Sequence, residues 1–412
     1  MRTVGIIAEY NPFHNGHAYQ IAKAKEITAA DYCIVVMSGN FVQRGTPAII
    51  NKYLRTQAAL ANGADLVIEL PVHFASGSAE YFASGAIAIL DKLGVTDCLC
   101  FGSECGDIHA LTAISQVFIS ENNEFKKILK QQMKAGYSYP KARNDALIAT
   151  EPHLIKDPEL LSSPNNILGL EYLKALKKRN SRIESYTISR TGSDYHDTGL
   201  NAPYSSALAI RESITMKQDI SLIKDQVPAA VYTALLENYG KTFPILPEDI
   251  YALLQYKLFT EQEKGFTKYF DIDSDFSDRL KNLFPYFTEY TTLCETLKSK
   301  NTTYTKVSRN LLHILLNIYQ EDLDIFCSED YVYYARMLGF KKDAGPLLSA
   351  IKSNASIPLL SKLADAINCI SSENGKRMLH QDIEASHIYD LLIHQKFHQN
   401  PQNEYAKPIV IV

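Results

Sequence analysis

No stretch of about eighteen consecutive apolar residues occurs, so nothing in this chain is built to span a membrane. The start lacks the basic segment and apolar stretch of a secretory leader, because Met1-Arg2 runs straight into a strand-like segment containing Glu9. The expectation is a cytoplasmic protein. Cysteine is sparse and scattered, at positions 33, 98, 100, 105, 294, 327 and 369. Cys98 and Cys100 alternate on one face of a candidate strand, and with Cys105 they find no fourth ligand, so they read as small buried residues. His380, His387, His394 and His398 complete no ligand set either, although the last two are spaced i, i+4; no metal site is expected. Positive charge is not in excess. With 42 Lys and Arg against 46 Asp and Glu, a general polyanion binder is excluded, and any grip on nucleic acid must come from local patches. Repeats and low-complexity runs are absent.

What is present is ample apolar content, 46% of 412 residues, enough for two or three domains. The first half alternates short β-branched runs with amphipathic stretches. Strands are expected at Val4–Glu9, Tyr32–Met37, Ala64–Leu70, Val95–Phe101 and Glu184–Ile188, and helices at Asn15–Thr28, Lys52–Asn62, Ala79–Leu93 and Pro164–Arg179. This βαβα order predicts an α/β fold with a doubly wound parallel sheet, whose ligand lies at the carboxyl ends of the strands. A helical insertion at about 107–160 interrupts it and carries Lys126, Lys127, Lys130, Lys134, Lys141 and Arg143. Beyond about 217 the strand pattern fades. Helices are expected at Val227–Asn238, Pro247–Leu258, Ser274–Leu283, Tyr286–Leu297, Ser308–Leu316, Ser328–Leu338 and Ile383–Lys396, with a terminal strand or docking segment at Lys407–Val412. The expected organisation is thus an α/β domain carrying the ligand site at 1–217 and a mainly α-helical domain at 218–412.

The opening strand leads into Ile7-Ala8-Glu9-Tyr10-Asn11-Pro12-Phe13-His14-Asn15-Gly16-His17. Where a first strand becomes a first helix, backbone N–H groups lack partners and the macrodipole is positive, so phosphate is favoured. His14 and His17, three apart, share one face of that turn, and Gly16 leaves room for a nucleotide. Four further segments fall at strand or helix ends. Gly39 to Pro47 precedes Lys52 and Arg55, whose i, i+3 spacing lets both cations face a phosphate or carboxylate. Phe101-Gly102-Ser103-Glu104 ends a strand. Ser163-Pro164-Asn165-Asn166 opens a helix with two asparagines in its first turn. Arg190-Thr191 follows the last strand, and Ser206 to Arg211 opens another helix.

The opening resembles the His-x-Gly-His signature of the nucleotidylyltransferase superfamily, which forms adenylates from ATP and implies a Rossmann-type sheet. Aligned on Ile210-Arg211, the helix start is similar to its Ser-Ser-Thr-x-Ile-Arg motif, with Ser206 and Arg211 retained and Ala207 and Leu208 departing. Longer matches, Val36-Met37-Ser38-Gly39-Asn40-Phe41-Val42-Gln43-Arg44-Gly45, Asp65-Leu66-Val67-Ile68-Glu69-Leu70-Pro71 and Pro164-Asn165-Asn166-Ile167-Leu168-Gly169, resemble one narrower family, the bacterial tRNA(Met) cytidine acetate ligases. That resemblance implies activation of acetate as acetyl-adenylate, with Mg²⁺ accompanying ATP, and transfer to N4 of the wobble cytidine of elongator tRNA(Met). Catalysis would rest on His14, His17, Lys52 and Arg55. ATP would be held by the 7–17 segment, Gly102, Ser103, Asn165, Asn166, Arg190, Thr191, Ser206 and Arg211. For the RNA, Lys126 and Lys130 of the insertion, with Lys177, Lys178 and Arg179 at a helix end, are the candidate patches. Two other readings stay open on residues alone: adenylylation of a small phosphorylated metabolite, and a nucleotide- or RNA-binding protein without activity.

Overall fold

Alternating burial builds the sheet. In the computed structural model, which describes residues 1–155, 157–189, 204–217 and 219–412, the strands of the first half are β1 (Thr3–Ala8), β2 (Tyr32–Ser38), the short hairpin β3 (Phe41–Val42) and β4 (Thr46–Pro47), β5 (Leu66–Leu70), β6 (Cys98–Ser103) and β7 (Glu184–Ser189). Ile34 and Val36 of β2 pack on one face with Leu90, while Cys33, Val35 and Met37 pack on the other with Ile21. β1, β2, β5 and β6, buried on both sides, are paired in parallel, as continuous apolar runs predict, and the less buried β7 joins β6 in parallel, while β3 and β4 pair antiparallel.

Helices cover both faces. α1 (Asn15–Thr28) and α2 (Lys52–Ala61) precede the one-turn α3 (Val72–Ala75) and α4 (Ala79–Lys92). The insertion supplies α5 (Ile108–Ser120), α6 (Asn123–Lys134) and α7 (Tyr139–Thr150), and α8 (Pro164–Lys178) returns the chain to the sheet. α9 (Ala207–Lys217) then closes over the strand ends. Observed bounds of the first-half elements stay within a few residues of the expected ones, and α1 matches at both ends.

The expectation for the second half needs correction. Ser328–Leu338 is not a helix: a helix spans Gln320–Ser328, and the chain then enters β8 (Ala335–Phe340), which lies antiparallel to β5. β9 (Leu359–Leu360) and β10 (Val410–Ile411) pair with β8, giving the order β10-β8-β5-β2-β1-β6-β7 with β9 off that path. Five of the six β8 residues are buried, so the run has no polar face to reveal its period, and pairing with β5 decides. A cut at 217 therefore separates three strands from the sheet they complete, and one apolar cluster joins Ile7 to Ile393. The rest of the second half is helical, ending in the long helix Glu373–Phe397. Among the described residues, no helix is long and apolar enough to cross a membrane.

Candidate active site

The chain leaves β1 through Tyr10, at φ +51°, and His14 caps α1 in extended conformation. The cap is reciprocal. His14 Nδ1 accepts from Gly16 N–H at 3.1 Å, and His17 Nδ1 accepts from His14 N–H at 3.2 Å. The rings stack with centroids 3.6 Å apart, and Tyr10 meets His17 edge-on at 4.8 Å. Because both Nδ1 lone pairs receive backbone protons, the network assigns each neutral ring its own proton at Nε2. Two parallel N–H donors are thus held at the positive end of a helix.

Two adjoining cavities meet at this pair. The larger, about 180 Å³, is lined by Ile7, Ala8, Glu9, Tyr10 and Asn11 from the end of β1, by Gly102, and by the start of α9 with Ser206 and Arg211. The smaller, about 80 Å³, is lined by Gly16, Tyr19, Ile188, Tyr204 and Ser205. His14, His17, Gln20, Gly102 and Ser206 border both. Ser206 Oγ accepts from Ala209 N–H at 3.0 Å and so caps α9, whose first turn faces the histidines. Arg211 reaches back to Asn11 O at 2.6 Å, and Asn11 Oδ1 accepts from Ile49 N–H at 2.8 Å. The Glu9 carboxylate accepts from Gln43 N–H at 2.7 Å, which seats the 43–45 loop on the cavity rim. Gly45 makes that seat possible: it sits at φ +78°, and a Cβ there would come 2.3 Å from Arg309 N.

Several expected site residues lie elsewhere. Lys52 and Arg55 do share one direction, but it points into the protein. Lys52 is 0% exposed, with Nζ 2.8 Å from Glu69 and 2.6 Å from Glu404. Arg55, 1% exposed, donates to the carbonyls of Glu9, Ser38, Gly39 and Ile50, and burial pushes its pKa down to about 10. Both hold the strand ends from behind and line neither nucleotide cavity. Asn166 is committed as well, its Oδ1 accepting from Glu104 and Cys105 N–H. The Glu104 carboxylate in turn occupies the N-terminus of α8, bonding Asn165 N, Asn165 Nδ2 and Asn166 N. That leaves Asn165 on the cavity wall and removes Asn166 from it. Ser103 Oγ pairs with Thr187 at 2.7 Å, and Asn15 Nδ2 donates to Asp225 O at 2.9 Å. Pro12 and Phe13 face Arg55 and Val231 on the opposite side of the loop. Arg190 and Thr191 lie outside the described residues.

Of the RNA candidates, Lys126 and Lys130 are exposed on α6 and, with Lys134, Leu129 and Met133, form a shallow basic groove. Lys177 is exposed, whereas Lys178 stands 3.4 Å from Glu80. Arg179 is wedged between Asp91 and Asp330, so its charge is spent inside the protein. Sequence reasoning missed Gln20, Gln43, Arg44, Phe82, Leu168 and Tyr172, which complete the larger cavity. Gln43 and Arg44 carried a signal, standing in the segment after the second strand. Leu168 lay within the Pro164–Gly169 match, whereas Phe82 carried none, since an apolar residue on a helix reads as core.

Donors for a metal are few here. Among the described residues no group of three or more His, Cys, Asp or Glu side chains could hold an ion. The residues do not fit a resident Mg²⁺, so an ion riding on triphosphate oxygens would be part of the substrate.

A parallel sheet with a paired-histidine helix start facing a second helix start defines a nucleotidyl transferase, and the chain belongs to the HIGH Nucleotidyl Transferase family, matching over residues 1–404. Within it, the chain is a member of the tRNA(Met) cytidine acetate ligases. It is 40% identical to the tRNA(Met) cytidine acetate ligase of Acetivibrio thermocellus over 419 positions covering 100% of both chains. It is 36% identical to that of Clostridium novyi over 95% of this chain and 96% of the relative. The crystal structure of apo Thermotoga maritima TmcAL superposes with a TM-score of 0.94 at 29% identity, covering 100% of each chain. The form bound with alpha-thio ATP gives 0.92 at the same identity and coverage.

Proposed function

We propose that this protein is an ATP-dependent ligase that activates acetate and acetylates N4 of the wobble cytidine in elongator tRNA(Met). The observation that carries the reading is the pair of Nε2–H donors at the head of α1, standing between two cavities and opposite the capped start of α9 with Arg211. The kinship to ligases of that name, and the relative bound with alpha-thio ATP, support the same assignment.

In the first step an acetate oxygen attacks the α-phosphorus of ATP, the bond to the bridging oxygen of the β-phosphate breaks, and pyrophosphate leaves with that electron pair. In-line phosphoryl chemistry asks the protein for positioning and for charge stabilisation. His14 and His17 donate to phosphate oxygens, while the first turn of α9 and Arg211 face the leaving group. In the second step N4 of cytidine attacks the acetyl carbon, the carbon–oxygen bond to AMP breaks, and N4 releases a proton. RNA reaches the site along the α6 groove, where Lys126, Lys130 and Lys134 are gathered, with Lys177 of α8 adding charge.

The test is acetate-dependent exchange of labelled pyrophosphate into ATP without RNA, followed by transfer of labelled acetyl to tRNA(Met). Turnover supported only by a phosphorylated metabolite would refute the acetate assignment. Exchange without any transfer to tRNA(Met) would refute the RNA assignment.

A further inference from the structure

The larger cavity is chemically lopsided. At its rim stand Arg44 and Gln43, on the loop fixed by Glu9 and Gly45. It is also lined by three rings from three different elements: Phe82 of α4, Phe101 of β6 and Tyr172 of α8, which are 2%, 4% and 4% exposed. Phe101 meets Tyr172 edge-on, with centroids 5.6 Å apart. Behind Phe101 lies Gly169, where a Cβ would come 2.5 Å from Phe101 Cε2. The ring is therefore seated on the backbone of α8 and has nowhere to retreat. Close-packed walls of this kind do not yield to a larger guest without strain elsewhere.

We propose that these rings form the acyl pocket of the cavity, in which Arg44 holds the carboxylate of the acid while Phe82, Phe101 and Tyr172 receive its methyl group and exclude longer chains. The inference rests on the acetate-activating reading above. When a carboxylate oxygen attacks phosphorus, the alkyl group of the acid points away from the reacting centre. With the α-phosphate at the histidine pair and the carboxylate on Arg44, the alkyl group is left to the rings that line the same cavity. Glu9 lies on the same wall, so an incoming anion needs the guanidinium beside it. A single added methylene has to displace an aromatic ring that is held by its neighbours. Discrimination of one methylene in an apolar pocket is worth roughly 10–200-fold in kcat/KM.

The experiment is pyrophosphate exchange with acetate, propionate and butyrate in the wild type and in separate Phe82→Leu, Phe101→Leu and Arg44→Gln variants. KM for ATP and thermal unfolding are measured for each. The wild type is expected to prefer acetate over propionate by at least about tenfold. Either leucine variant should cut that preference about tenfold with KM for ATP little changed, and Arg44→Gln should raise KM for acetate without raising KM for ATP. Two leucine variants guard against one failing to fold. Folded leucine variants that still exchange with acetate and keep the wild-type preference would overturn the acyl pocket while leaving acetate activation intact. Absence of exchange with every carboxylate in the wild type would overturn acetate activation itself, and the pocket with it.

Discussion

His17 allows the chemistry of the site to be separated from its architecture. Its Nδ1 accepts the His14 N–H at 3.2 Å, while the rest of the ring borders both cavities. His17→Asn keeps an acceptor oxygen near the Nδ1 position and deletes the Nε2–H. The cap, worth about 0.5–2 kcal/mol, is then largely retained, so unfolding free energy should change by less than about 1 kcal/mol. Loss of one donor aimed at developing phosphate charge costs about 2.7–4 kcal/mol of transition-state stabilisation, or about 10²–10³ in kcat. His17→Gln does the converse: its amide reaches the Nε2 position but abandons the cap, so it should be less stable and more active than the asparagine variant. The assay is acetate-dependent pyrophosphate exchange at saturating ATP, alongside urea denaturation. A rate for His17→Asn within about threefold of wild type would refute the donor role. Parallel loss of stability and rate in both variants would make His17 purely architectural.

Four other outcomes follow from the buried charges and the surface groove. Burial, then the negative charge of Glu69, pushes the Asp382 carboxyl up to about 7 from 3.8. Between those values the folded protein keeps a proton that the unfolded chain has released, so stability falls as pH rises across that window. Asp382→Asn should remove a fall of roughly 1–3 kcal/mol, read by urea denaturation at pH 5 and pH 8. Burial pushes the Glu404 carboxyl up, but Lys52, Arg336 and Lys407 outweigh it and hold it below the ordinary range. That carboxylate therefore adds stability above the ordinary carboxylate range and loses it as pH falls below. Glu404→Gln should cost about 3–5 kcal/mol in the same assay near neutral pH, because it leaves Lys52 and Arg336 sharing Glu69 alone. Reversal of Lys126, Lys130 and Lys134 to Glu should weaken tRNA binding and flatten its salt dependence while acetate-dependent exchange persists. Arg179→Glu should instead lower the melting temperature, since that guanidinium is held by Asp91 and Asp330.

Much of this fold was legible because its signals are local. Strand periodicity, glycine-marked ends and a capped start placed β1, α1 and the His14–His17 pair, and local geometry alone brings those rings together. Lys52 and Arg55 show where locality stops. Their spacing correctly put them on one helix face, yet spacing cannot say which way a face looks, and the partners that decide it include Glu404, far along the chain. Asn165 and Asn166 show the same limit: Glu104, on another strand end, bonds the side chains of both, and only Asn165 also lines the cavity. β8 was hidden because a run buried on both faces carries no period, and the aromatic end of the cavity was hidden because its rings come from three separated elements.

The pairing of Lys52 with Glu404 also orders events during synthesis. All described residues of the two cavities lie at or before Arg211, whereas β8, Glu404 and β10 come after it. At about 5–20 residues per second, the segment between Arg211 and Glu404 takes roughly 10–40 s to emerge. Throughout that time the residues lining the cavities stand beside an unfinished sheet, with β5 a bare edge, Lys52 lacking its second carboxylate and the 43–45 loop lacking its seat on Arg309. A long unpaired edge is a template for pairing with other chains. The last strands thus serve as a closing seal, and a ribosome stalled before them releases a chain whose bare β5 edge is prone to pair with its neighbours.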